Sequence, residues 1–200
     1  MKNAIIYVPG KGGSAKEAEY YRKFFNDGFD IIGFNYKSEK PWDAKVEFSN
    51  YFDSLISKYN KIMLIANSLG AYFSLISLAD KKIKKAMLIS PIVDMERLIL
   101  DMMISENVSK EELRIKKEIE TSFGEILSWE YLTYVIKDTI NWNIPTEVLY
   151  GEKDTMTSID TINNFVKKTN TNLTIMSGGE HWFHTKEQME FLDKWFKSNI

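Results

Sequence analysis

Three short segments of this 200-residue chain carry side chains from which nucleophilic catalysis can be built. The first, Ile62-Met63-Leu64-Ile65-Ala66-Asn67-Ser68-Leu69-Gly70-Ala71-Tyr72, passes from an apolar, branched run straight into a helical pattern, with Ser68 at the hinge. Small residues stand two places before and two after the serine, Ala66 and Gly70. They let a sharp turn pass close to neighbouring backbone while the hydroxyl is lifted above a sheet. A serine hydroxyl is a weak nucleophile, so it needs a base, and the base needs a carboxylate to orient it. A carboxylate ends the turn Leu149-Tyr150-Gly151-Glu152-Lys153-Asp154, and an imidazole lies in Ser177-Gly178-Gly179-Glu180-His181-Trp182-Phe183.

The elements that must position these groups are legible as alternating patterns. Six short apolar runs suit buried strands: Ala4 to Val8, Ile31 to Tyr36, Lys61 to Ala66, Lys85 to Ser90, Thr146 to Tyr150 and Leu173 to Met176. Several lack polar alternation, which is the mark of parallel strands covered on both faces. Between them lie predicted helices over Ser14 to Asn26, Trp42 to Tyr59, Leu69 to Asp80, Ser158 to Lys168 and Lys186 to Ser198. Phe48, Phe52, Leu55, Ile56 and Tyr59 fall three and four apart, giving one of these helices an apolar stripe. Strand and helix alternate, so the fold class is α/β.

The Ala66-Asn67-Ser68-Leu69-Gly70 segment resembles the nucleophile elbow of the α/β-hydrolase superfamily, whose pattern is G-x-S-x-G, with alanine here in place of the first glycine. The chain order Ser68, Asp154, His181 is also that superfamily's order. The resemblance implies an α/β-hydrolase fold: a mainly parallel six-stranded sheet flanked by helices, in one domain over residues 1–200. It implies a small helical cap inserted at about residues 94–141, where a Ser109-x-x-Glu112 capping box and a Ser128 N-cap mark helices. Leu98, Ile99, Met102, Met103, Trp129, Tyr131, Tyr134 and Trp142 would belong to that insertion. The topology it implies puts the first strand between the second and the third, a switch point beyond whose carboxyl edge ligands bind.

By the same resemblance Asp154 holds His181 in the tautomer that accepts the Ser68 proton. The oxyanion donors are the Leu69 amide and one from Gly10-Lys11-Gly12-Gly13, with Lys11 the first choice, and Gly12, Asn67 and Trp182 lie against substrate. The implied activity is cleavage of a carboxylic ester of a small or medium-sized molecule. Thioesterase, amidase or peptidase chemistry with the same three residues, or a non-catalytic binding module on the same scaffold, are the alternatives.

Plainer readings stand beside each residue. Ser68 suits an N-cap, Asp154 a turn, and His184 a surface or packing role. Asp94, just after Ser90-Pro91-Ile92-Val93, is a second candidate for the acid. Glu152 and Glu180 read as solvated loop charges. The glycine-rich loop matches neither G-x-x-x-x-G-K-[ST] nor G-x-G-x-x-G, so a nucleotide cradle is a weak reading.

Composition narrows the field further. There are no cysteines and only two histidines, which removes disulfides, thiolate metal sites, a cysteine nucleophile and a three-histidine metal site. Twenty-six basic against 28 acidic residues leave a formal charge of -2, so no nucleic-acid partner is expected. No run approaches the roughly 20 apolar residues of a membrane span. The N-terminal apolar run is too short for a secretory signal and meets Pro9-Gly10, which points to a cytoplasmic protein. The expected partner is a small-molecule substrate, with no metal or organic cofactor required.

Overall fold

Six of the apolar runs become one parallel sheet, because strands buried on both faces must be joined by helices that cover those faces. In the computed structural model, which describes residues 1–200, the chain runs β1 (Asn3–Val8), a 3-10 helix (Ala15–Phe24), β2 (Phe29–Gly33), α1 (Pro41–Ile56), β3 (Ile62–Asn67), α2 (Ser68–Ser77) and β4 (Ile83–Ile89). There follow α3 (Met95–Ser105), α4 (Lys110–Lys116), β5 (Glu118–Glu120), β6 (Ile126–Ser128) and α5 (Trp129–Lys137). The chain closes with β7 (Thr146–Gly151), α6 (Ile159–Lys168), β8 (Thr171–Met176) and α7 (Lys186–Asn199). No helix is long and apolar enough to cross a membrane.

Two compact units result, Met1–Val93 with Asn141–Ile200, and Asp94–Ile140. In the first, the sheet order is β2-β1-β3-β4-β7-β8, every pairing parallel, so the chain reverses its direction of winding between β2 and β3 as expected. Register aligns Val8 with Ala66, Asn67 with Ile89, Ile89 with Leu149 and Gly151 with Met176. The carboxyl ends of five strands are therefore level, and the segments that follow them share one edge of the sheet.

Central strands are sealed: Ala4 to Val8 and Leu64 to Ala66 are all buried. On α1 the predicted stripe packs inward through Phe48, Phe52 and Leu55, each contributing roughly 1.5–3 kcal/mol of apolar burial. Phe34, just past β2, stacks on Tyr51 of the same helix at 3.9 Å. On another flank Tyr21, Leu192, Trp195 and Phe196 close over Ile5, Tyr7 and Ile65.

The segment expected as a helix from Ser14 is wound as a 3-10 helix, not an α-helix. Its inward residues Ala18, Tyr21 and Phe24 stand three apart, and a three-residue turn stacks them on one face, where Tyr21 and Phe24 meet Phe196 at 4.9 and 5.2 Å.

The second unit contains three helices and a two-stranded antiparallel hairpin, β5 with β6. Three-residue strands are too short to show alternation, so periodicity misses them. Ser128 caps α5 as expected. Ser109 accepts from the Glu112 amide, but Glu112 turns its carboxylate to Lys116 at 2.8 Å, leaving the capping box half made. Trp142 falls in the first unit, buried, with its indole N–H donating to Thr146 Oγ1 at 2.7 Å.

Candidate active site

The strand-to-helix turn at Ser68 forces the serine to φ +47°, a left-handed conformation that costs an ordinary residue roughly 1–2 kcal/mol. Packing around it explains the small neighbours. A Cβ at Gly70 would lie 2.2 Å from the Pro9 carbonyl oxygen, so only glycine lets α2 start this close to the loop after β1. At the other position Ala66 is fully buried, which its single methyl group permits. The N-cap of α2 is Asn67, without a side-chain cap bond, so Ser68 is not spent on capping.

The hydroxyl of Ser68 instead meets His181: Oγ lies 2.8 Å from Nε2. On the opposite side of the ring, Nδ1 lies 2.7 Å from Asp154 Oδ2. A carboxylate only accepts, so Nδ1 carries the proton and Nε2 is left with the lone pair facing the serine. Asp154 is itself fixed, because its Oδ1 accepts the amides of Met156 at 2.8 Å and Thr157 at 3.1 Å. Its side chain is fully buried, while the imidazole is 18% exposed. Asp94 is committed elsewhere, accepting the Arg97 amide at the start of α3.

The acid turn and the histidine loop are seated on one another. A Cβ at Gly151 would lie 2.5–2.6 Å from the backbone of Gly179 and Glu180, so the loop passes directly against that glycine. Beyond the histidine, Phe183 is anchored in the core, and Gln188 accepts the His184 amide at 3.0 Å while donating to Glu180 at 3.2 Å. Trp182 is 74% exposed and stacks on His184, whose Nδ1 donates to the Trp182 carbonyl at 2.8 Å.

The glycine-rich loop also reaches the serine: a Cβ on Gly10 would touch Ser68 Cβ at 3.1 Å. Gly13 donates its amide to the Gly10 carbonyl at 3.1 Å, and Lys11 and Gly12 stand at the exposed tip of the loop. Gly12 itself stands at φ +76°. Leu69 lies in the first turn of α2, where amides have no intrahelical acceptor. The loop is held from behind by Tyr36, whose hydroxyl donates to the Pro9 carbonyl at 3.0 Å and whose burial pushes its pKa up to about 12.

Asn67 is bonded to the first strand. Its amide nitrogen donates to the buried Tyr7 hydroxyl at 3.2 Å, and Tyr7 donates to Glu17 at 2.6 Å. This bond ties the elbow to β1. Burial, more than the adjacent Tyr21 and Glu17, holds the Tyr7 phenol well above its ordinary range.

Two charges read from the sequence as solvated are engaged. Glu180 is the acceptor for Gln188, and Glu152 Oε2 accepts Ser177 Oγ–H at 2.9 Å and the Gly178 amide at 2.7 Å. Those bonds, the Gly178 amide first, lower the Glu152 pKa from its ordinary value. A Thr185-x-x-Gln188 capping box anchors α7, whereas the Glu152 bonds join two loops and had no local signal. No group of three or more histidine, cysteine, aspartate or glutamate side chains is arranged to hold a metal ion.

No protein-family model matches the chain, and no curated protein matches it by sequence. Solved structures do match in shape. Alpha/beta hydrolase domain-containing protein 10 from mouse superposes with a TM-score of 0.72 at 14% identity, covering 98% of this chain and 88% of the other. Est1E from Butyrivibrio proteoclasticus gives 0.73 at 15% identity, covering 98% and 86%, and has also been solved with ferulic acid bound. An esterase from Pyrococcus furiosus gives 0.62 at 15% identity, covering 98% and 80%. Six parallel strands in this order, flanked by helices and superposing over almost the whole chain, give this protein the α/β-hydrolase fold.

Proposed function

We propose that the chain is a serine hydrolase that cleaves carboxylic esters of small or medium-sized molecules through an acyl-enzyme on Ser68. The observation that carries this reading is the doubly engaged imidazole, 2.8 Å from Ser68 Oγ and 2.7 Å from Asp154 Oδ2. Proton transfer then has one direction, from hydroxyl to Nε2, with the Asp154 charge stabilising the imidazolium that forms.

In the first half-reaction Ser68 Oγ attacks the ester carbonyl and its proton passes to His181 Nε2. The tetrahedral oxyanion is met by the amides of Leu69 and Lys11, each such donor being worth on the order of 10²–10³ in rate. Collapse breaks the bond to the alcohol oxygen, which leaves with the proton from Nε2. Water repeats the sequence on the acyl-enzyme: His181 takes its proton, the hydroxide adds to the acyl carbon, and the carboxylic acid departs as Ser68 regains its hydrogen. The cycle consumes only water and substrate. Gly12 and Trp182 lie on the loops that would flank the substrate, Trp182 offering an aromatic face.

Turnover of short-chain aryl esters tests the reading, with a feruloyl ester in the panel because Est1E holds ferulic acid. Thioester and amide analogues of the same acyl group identify the leaving group. Ester cleavage that disappears in Ser68→Ala is expected. Equal cleavage by wild type and Ser68→Ala would contradict the assignment of the nucleophile.

A further inference from the structure

Strands β7 and β8 end level, Gly151 opposite Met176, and each is followed by a loop bearing one member of the Asp154–His181 pair. Backbone bonds join these loops at two points: the Glu152 amide donates to the Met176 carbonyl at 3.0 Å, and the Lys153 amide to the Gly179 carbonyl at 2.7 Å. The turn itself is closed by Gly179 donating to Met176 at 3.1 Å. Gly178 stands at φ +69°, and its amide is met by a side chain, Glu152 Oε2 at 2.7 Å. The same oxygen accepts the Ser177 hydroxyl at 2.9 Å. One carboxylate oxygen thus holds two consecutive residues at the start of the His181 loop.

We propose that Glu152 is a positioning residue that clamps the His181 loop to the Asp154 turn and so keeps the imidazole aligned with both its partners. The far end of the loop is pinned independently by Phe183 in the core and by Gln188. Between Met176 and His181 the loop carries no apolar side chain, Ser177, Gly178, Gly179 and Glu180 offering none, so beside the backbone bond from Lys153 the side-chain bonds that hold Ser177 and Gly178 come from the exposed Glu152. Gly178 lies three residues before His181, so play in the turn is passed to a ring that must meet Oδ2 at 2.7 Å and Oγ at 2.8 Å together. The charge that faces Glu152 is its neighbour Lys153, which favours the ionised carboxylate. Because both bonds fall on a single oxygen, a glutamine amide oxygen can accept the same two donors.

The kinetic arm of the test rests on the serine hydrolase reading; a spectroscopic arm does not. Glu152→Ala is expected to lower kcat on an aryl ester by about tenfold, with KM changed less than about twofold, since misplacing a catalytic group by a fraction of an ångström is costly. Glu152→Gln is expected to restore kcat to within about twofold of wild type. In parallel, the low-field proton resonance of His181 Nδ1–H should be sharp in wild type and Glu152→Gln and broadened or shifted in Glu152→Ala. A Glu152→Ala protein that loses thermal stability yet keeps kcat and the resonance would overturn the proposal, as would a folded Glu152→Gln that behaves like alanine. If wild type shows no esterase turnover, the hydrolase reading fails, and the resonance comparison still decides the clamp.

Discussion

Replacing Asp154 by asparagine exchanges a single atom, and the surroundings dictate which one. Oδ1 accepts two backbone amides, from Met156 at 2.8 Å and Thr157 at 3.1 Å. Turning an NH2 group toward those donors would leave buried hydrogen bonds unmade at roughly 1–3 kcal/mol each, so the asparagine oxygen must stay there. Its NH2 then faces His181 Nδ1, from the place where Oδ2 now lies 2.7 Å away. The ring nitrogen must become an acceptor, the imidazole proton moves to Nε2, and a protonated Nε2 cannot take the Ser68 hydrogen. A tautomer error of this kind costs about 10⁴ in kcat, a figure taken from a serine protease and equal to about 5.4 kcal/mol at 1.36 kcal/mol per tenfold. The shape and number of hydrogen bonds are kept, so stability should fall by no more than about 1 kcal/mol. Initial rates on a short-chain aryl ester, with urea melts of the same preparations, separate the two effects. The parallel change Asp94→Asn should leave kcat untouched, because asparagine caps α3 as well as aspartate does. An Asp154→Asn enzyme that keeps more than about a tenth of wild-type kcat would refute the tautomer argument.

Two further expectations concern the loops around the serine. Gly70→Ala places a methyl group 2.2 Å from the Pro9 oxygen and should cost at least about 2 kcal/mol in a urea melt together with most of the activity, whereas Gly12→Ala meets nothing within 4 Å and pays only backbone strain of about 1–2 kcal/mol. Equal losses in both would show that close approach is not what requires glycine at the elbow. The second expectation follows from the lowered Glu152 pKa: its bonds to Ser177 and Gly178 are strongest with the carboxylate ionised and weaken as pH falls through the depressed value. The Gly178 amide resonance should therefore titrate with a midpoint below the free-glutamate value of about 4.3, and Glu152→Gln should abolish that step; a midpoint at or above about 4.3 would contradict the sign.

The parts of this molecule that depend on local pattern were readable in the sequence. Uninterrupted apolar runs such as Ile62 to Ile65 announced buried parallel strands, and the stripe from Phe48 to Leu55 announced the buried face of α1. The order of Ser68, Asp154 and His181, after β3, β7 and β8, was legible for the same reason, since parallel strands bring the segments after them to one edge. What escaped depends on contacts between distant loops or on very short elements. Glu152 looks like any solvated charge until β7 and β8 are placed side by side, 25 residues apart in sequence to Ser177. The bond from Asn67, next to Ser68, to Tyr7 of β1 likewise joins segments far apart in the chain. The 3-10 winding of Ala15–Phe24 turns on a three-residue spacing of Ala18, Tyr21 and Phe24 that an α-helical reading averages away.

Everything mechanistic turns on whether Ser68 is an activated nucleophile. Intact-protein mass spectrometry after treatment with a fluorophosphonate probe answers that most directly. The wild-type chain should gain one phosphonyl group, mapped to Ser68, while Ser68→Ala gains none and His181→Ala reacts slower by orders of magnitude. A folded wild-type protein that stays unmodified, or that is modified equally in Ser68→Ala, would contradict the account and leave the scaffold as a binding module.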